Sequence, residues 1–398
     1  MGAERLAVPG DLRMARQLGP VLLASAVTLL PFTVFSTYLV HIARDAGSGV
    51  AATGGLRGLG GLAALAVGAG LAPLLDRVAR LRAAAVGLVV LALASVVGAV
   101  GQFAALVVFC LLVGVAMAVL NPALGAAAAD RYGDGPAAGR AATLVTATQS
   151  LTAMLAAPVV AVPAMLWGWR GDLLAIAVLA AVLAAVFFTR PGPAVPVQVK
   201  VGYLASYRKL AGLRPVLAVA LLRTAAFMGY LSYLAGFYDE RFRLTPGAFA
   251  LVWTLSGTSF FLGNLLAGRL LGADRIVAHR VLPVALAIAS AAVVAIFFTH
   301  VFAVALVLTS LLAASHATAA ACVVTLLVRH SGDARGAALG VNGAAMSVGM
   351  FAGAALGGVG LGFGGWPGAA AVFGGISVLA LVAALWVRHG EKSAVAGN

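Results

Sequence analysis

Apolar stretches of 18 or more residues recur from one end of this chain to the other. Each is long enough to cross roughly 30 Å of hydrocarbon as a helix. A water-soluble fold cannot cover that much apolar surface. The composition agrees: 63% of residues are hydrophobic and 10% charged, against about 25% charged in ordinary soluble domains. The pattern specifies an all-α polytopic membrane protein.

Twelve spans are expected, near 18–40, 51–75, 83–101, 103–128, 141–165, 171–189, 215–238, 247–271, 281–299, 301–327, 337–361 and 368–387. The run 18–40 is about twice the length of a signal-peptide core, so it reads as the first membrane helix. The longest connection, 190–214, lies in the middle; it opens RPGPAVPV, a Pro-rich break, and continues into the basic YLASYRKLAGLR. Cys110 and Cys322 fall inside apolar segments and read as small buried residues. No metal site and no disulfide framework is expected from them.

The net charge of +14 raises the question of nucleic acid, and its distribution answers it. Arg44, Arg170, Arg241 and Arg243 lie on one set of connections, and Arg57 and Arg223 within spans. The other 20 of the 26 Lys and Arg lie at the termini and on the alternate connections. Positive residues collect on the cytoplasmic side of membrane proteins. The expectation is therefore a multi-pass inner-membrane protein with both termini cytoplasmic. The basic excess is topology, not a nucleic-acid surface.

The two halves of the chain repeat each other. DRYGDGPAAGR follows the fourth span and RHSGDAR the tenth, Trp169 precedes the sixth span as Trp366 precedes the twelfth, and Asp76 and Asp274 follow the second and eighth. These landmarks recur at nearly one offset. They divide the chain into a six-helix bundle at 1–189, a cytoplasmic linker at 190–214 and a second six-helix bundle with a short tail at 215–398. Such a pair can rock about a site near the bilayer midplane.

The segment LLDRVARLR, residues 74–82, places Asp76, Arg77, Arg80 and Arg82 between two apolar runs. With Ala72, Leu74 and Ala79 it resembles the loop G-x-L-a-D-R-x-G-R-[RK]-x-[RK] of the major facilitator superfamily, with alanine at both glycine positions. GRLLGADRIVAHR (268–280) is a looser copy carrying Asp274 and Arg275. The resemblance covers essentially the whole chain and implies twelve transmembrane helices in two pseudo-symmetric six-helix bundles. It also implies that this loop is a cytoplasmic gate, Asp76 pairing with arginine and with a helix N-terminus of the other half. A carboxylate so placed is worth about 0.3–1 kcal/mol or more. The arginines also suit a simpler role, anchoring the loop in the cytoplasm.

A second resemblance is to the drug/proton antiporter branch, whose fifth helix carries G-x8-G-x3-G-P-x2-G-G. Here Pro158 is kept, with Ala153, Ala157 and Ala161 at glycine positions. The eleventh span fits the spacing better, through Gly340, Gly349, Gly353, Gly357 and Gly358 with Ala354 at the proline position. Small residues of this kind let helices approach closely in any membrane protein. In the fourth span the branch has an arginine implicated in proton coupling; aligned on Gly114, that place holds Cys110.

Ionisable residues within spans are costly and mark function. No Asp or Glu lies deep in a span; Asp45, Asp172, Asp239 and Glu240 sit at outer margins. Arg223 lies about 13 Å into the seventh span and is expected either to bind an anionic group or to hold an internal contact. Arg57 lies nearer the surface. His316 suits a proton carrier near neutral pH or a hydrogen-bonded core residue. Gln149 is a polar candidate, alongside Asn121, Asn264 and Asn342, which suit helix–helix contacts. The first and seventh helices, which line the cavity in this family, carry Phe32, Phe35, Tyr38, Phe227, Tyr230 and Tyr233.

These residues lead to a monomeric secondary transporter in the lipid bilayer, exporting a small-molecule substrate by alternating access with proton antiport. No cofactor beyond a proton gradient is expected. The alternative is an importer or facilitator of a small organic anion, without proton coupling, for which Arg223 speaks. A non-transporting receptor stands further off. An enzyme is not expected, since no His-Glu metal motif or nucleophile–base pair occurs.

Overall fold

The computed structural model describes residues 11–70, 78–133, 136–190, 211–271, 275–331 and 335–396. Every regular element among them is helical. Ten helices are long and apolar enough to cross a membrane. Two of these are too long for one crossing: Pro136–Phe188 has 53 residues and Arg335–Ala396 has 62. At 1.5 Å per residue each would reach about 80 Å or more, over twice the hydrocarbon thickness. Each breaks once, at Gly168 (φ 65°, ψ 180°) and at Gly365 (φ 58°, ψ −153°). These are backbone conformations that glycine adopts freely. Beyond Gly365 the chain doubles back closely enough that Gly360 and Gly368 touch backbone to backbone. Among the described residues the crossings therefore number twelve.

In chain order, α1 is a run of four helical pieces, Asp11–Gln17, Gly19–Val27, Leu30–Thr37 and Leu39–Asp45. Then come α2 (Val50–Gly70), α3 (Arg80–Ala99), α4 (Phe103–Asp130), α5 (136–167) and α6 (169–188). The second bundle comprises α7 (Arg214–Phe242), α8 (Pro246–Leu271), α9 (Arg275–Phe298), α10 (Phe302–His330), α11 (335–364) and α12 (366–396). The first span is read from sequence as one helix, and the breaks in it have a cause. Pro20 and Pro31 sit at the starts of the second and third pieces, where a residue without an N–H is tolerated but cannot continue the preceding ladder.

Long apolar faces point outward, as lipid-facing helices require: Val178 is 65% and Val307 64% exposed. Inside, α3 packs on α4 and α5–α6, while α8 and α9 pack on α10. Between the bundles, α2 packs on α11, α5 on α8 and α1 on α7.

Those contacts are uneven along the membrane normal. At the end that carries Asp45, Val50 meets Gly236 and Ala51 meets Gly358. Nearer the middle, Gly58 lies on Phe351 and Gly257 on Met154. Toward the end that carries Arg131, a Cβ added at Gly68, Gly125, Gly139, Gly268, Gly340 or Gly343 would meet open space. Among the described residues, the close glycine contacts between the bundles lie at the Asp45 end and in the middle.

Candidate functional site

Six sequence candidates belong to the expected gate loops. Asp76, Arg77 and Asp274 lie outside the described residues, and Arg275 opens α9. Arg80 begins α3, and Arg82, two residues on, is exposed.

The Asp45 end is built around Tyr233 of α7. Its ring lies between glycines of α2 and α11, so that a Cβ at Gly54 or Gly357 would collide with it. Its hydroxyl donates to the Ala354 carbonyl at 2.6 Å and reaches the Ala51 carbonyl at 3.4 Å. One side chain of the second bundle thus bridges to α2 of the first. Gly349 and Gly353 lie on the backbone of α7 at Leu221 and Ala225, and Gly358 touches the Tyr233 hydroxyl. In sequence the glycine stripe reads as a packing motif; that it seats an aromatic ring was not legible there. Pro158 lies within α5, half-buried.

Arg223 and His316 meet. Arg223 is 4% and His316 5% exposed, and Arg223 Nη1 lies 3.1 Å from His316 Nε2. Guanidinium has no acceptor, so Nη1 donates and the Nε2 lone pair accepts. The imidazole proton is then on Nδ1. Arg223 Nη2 points at the Met346 sulfur at 3.9 Å, and Nε has no hydrogen-bond partner. Asn342 Nδ2 points at the same sulfur at 3.5 Å, leaving its Oδ1 buried and unpartnered. A thioether is a weak acceptor. The His316 ring stacks on Phe227 at 3.9 Å between centroids, with Phe260 at 6.1 Å. Met346 and Phe260 are only half-buried, so the cluster is not sealed.

Arg57 lies in the first bundle, 8% exposed, its guanidinium 5.7 Å from the Phe32 ring centroid. Its Nε and Nη1 have no hydrogen-bond partner. It sits within electrostatic reach of Cys110 on α4. The sequence alignment leaves Cys110 where the antiporter branch has an arginine; the fold brings the Arg57 guanidinium of α2 within electrostatic reach of it. Only the fold brings that pair together.

The remaining candidates are dispersed. Phe35 packs on Phe109 at 5.8 Å, and Tyr38 stands edge-on to His41 at 6.5 Å. Tyr230 is fully buried and shares Thr309 with Tyr238 through hydroxyl contacts of 3.0 and 2.8 Å. Gln149 donates to Asn121 across α5 and α4 at 3.0 Å, on an exposed face. Asp45 accepts from Trp169 Nε1 at 3.1 Å and pairs with Arg170 at 2.8 Å, tying α1 to the start of α6. A surface groove of about 780 Å³ runs along α6 from Trp167 to Val182. It is lined by Arg170 and apolar side chains of α6 and contains none of the candidates.

An unpaired buried cation costs several kcal/mol, and a cation–π contact returns about 0.5–2. Among the described residues no carboxylate contacts Arg57 or Arg223. Both guanidiniums therefore keep hydrogen-bonding capacity that nothing among the described residues uses.

The sequence matches the Major Facilitator Superfamily over residues 21–299 and again over 216–398. No curated protein matches it. Among solved structures, a bacterial homolog of the human lysosomal transporter Spinster, inward-facing and occupied, aligns with a TM-score of 0.75 at 15% identity, covering 96% of this chain and 98% of that one. A mutant of the nucleoside transporter NupG aligns with a TM-score of 0.75 at 14% identity, covering 92% and 99%. The human organic anion transporter MFSD10 (TETRAN) aligns with a TM-score of 0.64 at 18% identity, covering 94% and 100%. At such identities the likeness establishes the fold alone. The chain belongs to the Major Facilitator Superfamily and is a multi-pass membrane transporter of small molecules, not an enzyme.

Proposed function

We propose that this superfamily member moves a small organic anion across the inner membrane by alternating access. The observation that carries the reading is the pair of buried arginines, Arg57 and Arg223, one in each bundle, with no carboxylate on either among the described residues. An anion bound at Arg223 gains charge-assisted hydrogen bonds about twice as strong as neutral ones. The end closed by Tyr233 is then the outer end, and the end with the basic connections the cytoplasmic one, in keeping with the distribution of positive residues. Rocking of 1–189 against 215–398 exchanges the closed end, with Asp76 and Arg77 as the latch of the opposite state.

Export of drug-like solutes by antiport has one supporting feature, the small-residue face of α11. That face does packing work on α7 and Tyr233 in any case, so it does not favour antiport over anion transport.

The test is uptake into proteoliposomes of naphthalene-2-sulfonate, an aliphatic carboxylate and a phosphate monoester, beside tetraphenylphosphonium and a neutral sugar. Uptake of at least one anion, lost in Arg223→Ala, is expected. Uptake of the cation or the sugar alone, indifferent to both arginines, would sink the reading.

A further inference from the structure

We infer that His316 is a proton-binding site linked to the anion site through Arg223, so that one proton travels with each anion. This rests on the anion reading and specifies how that site is coupled.

The argument begins with valence. His316 Nε2 has a single lone pair, and that lone pair accepts the Arg223 Nη1 hydrogen at 3.1 Å. It holds either that hydrogen bond or a proton of its own, never both. While Arg223 stays on the imidazole, Nε2 is closed to protons. Arg223 itself is held only by neutral groups, the imidazole and the Met346 thioether at 3.9 Å, with Nε unpartnered. An anionic oxygen outcompetes both, because charge-assisted and bidentate contacts are the stronger ones for a guanidinium.

When an anion draws Arg223 off the ring, two things happen at once. The Nε2 lone pair is released, and a negative charge arrives close by. The proton comes from water on the open side and adds to Nε2, giving an imidazolium with N–H at both nitrogens. Anion and proton thus bind cooperatively, from the same side. On release the steps reverse: the anion leaves, Nε2 loses its proton to water, and Arg223 returns.

The charge count follows. The empty site holds one positive charge, on Arg223. The loaded site holds Arg223, protonated His316 and a monoanion, again one net positive charge. A monoanion therefore crosses electroneutrally. The surroundings of the ring leave the arginine in control of it: Phe227 from α7 stacks on it, and Phe260 from α8 lies beside it. Among the described residues Arg223 is the charged group in contact with it. Phe227 also fixes the ring plane, which keeps Nε2 pointed at the arginine.

The test uses the purified full-length protein and naphthalene-2-sulfonate, which stays anionic throughout the working pH range and so brings no proton of its own. Calorimetric titration in two buffers of different ionisation heat counts the protons taken up on binding. The wild type is expected to take up close to one proton per anion on the alkaline side, where affinity falls about tenfold per pH unit. His316→Gln, whose amide oxygen still accepts from Arg223, is expected to bind the sulfonate with no proton uptake and no pH dependence. Anion binding by the wild type without proton uptake overturns the linkage and leaves the anion site standing. Proton uptake that survives in His316→Gln assigns the proton elsewhere and overturns it equally. Failure of the wild type to bind any anion of the proteoliposome panel brings down the anion reading and this inference with it.

Discussion

Each bundle buries one arginine among apolar side chains, and the two keep different company. Arg57 of the first bundle has an aromatic face and a thiol near it, neither of which is a good hydrogen-bond acceptor. Arg223 of the second has an imidazole on one nitrogen and a thioether on another. The scaffold is repeated, yet the repeat of the arginine is not: Trp253 stands near the position in α8 that corresponds to Arg57 in α2, and Val27 near the position in α1 that corresponds to Arg223. On the proposed function, symmetry supplies the rocking, and the departures from it supply the chemistry. One half holds charge, and the other holds charge that can be traded.

The sharpest way to break that contrast is to remove each arginine in turn. Arg223→Ala should lower sulfonate uptake about a hundredfold or more, as loss of a buried charged contact implies. Arg57→Ala should lower it about tenfold. Equal losses would mean that the anion lies symmetrically between the bundles. A larger loss at Arg57 would move the site into the first.

Next in size are the helix contacts. Gly353 touches the Ala225 backbone, whereas Ala157, its counterpart in α5, already carries a methyl group and is fully buried. Gly353→Ala should therefore cost about 1–3 kcal/mol through forced separation of α7 and α11. The reciprocal Ala157→Gly should cost about 1 kcal/mol or less, mostly backbone entropy. Thermal unfolding of the two variants measures the difference, and equal costs would erase the asymmetry in packing.

Tyr233→Phe keeps the ring in its seat and removes the hydroxyl bond to the second bundle's own α11 and the reach to α2. About 1 kcal/mol of closure at the Asp45 end should be lost, a shift of about fivefold in the populations. Spin-label distances between positions 46 and 362 would report it; an unchanged distribution would show the ring alone to be the closure. Smallest of all is Asp45→Asn. Its pair with Arg170 is half-exposed, so the loss should stay within about 1 kcal/mol of thermal stability.

The fold was largely open to reading from sequence because hydrocarbon thickness leaves little choice: apolar runs of that length, with basic residues on alternate connections, admit few arrangements. What sequence did not reveal was the near-absence of a loop between α5 and α6, where Trp167 and Trp169 disguise a turn made by Gly168 alone. The site was half legible. Arg223 and His316 stand out as ionisable groups within spans, but their contact joins residues 93 positions apart, and no local pattern encodes it. Met346 and Asn342 carry no signal of their own. Tyr233 looked like one aromatic among several, since its seat is assembled from glycines on two other helices.

The turns at Gly168 and Gly365 have a mechanical consequence. A six- or eight-residue loop lets one helix tilt while its neighbour stays put. A one-residue turn leaves far less slack. α5 faces the other bundle at Gly257 of α8, and α6 presents Val178 and Val182 to the lipid tails. Any tilt of α5 is passed to α6 at a stiff corner, and α6 must push acyl chains aside to follow. The surrounding membrane is thus a load on the stroke of this carrier. Its turnover should slow in lipids whose chains are longer or more tightly ordered, even with the solute site untouched.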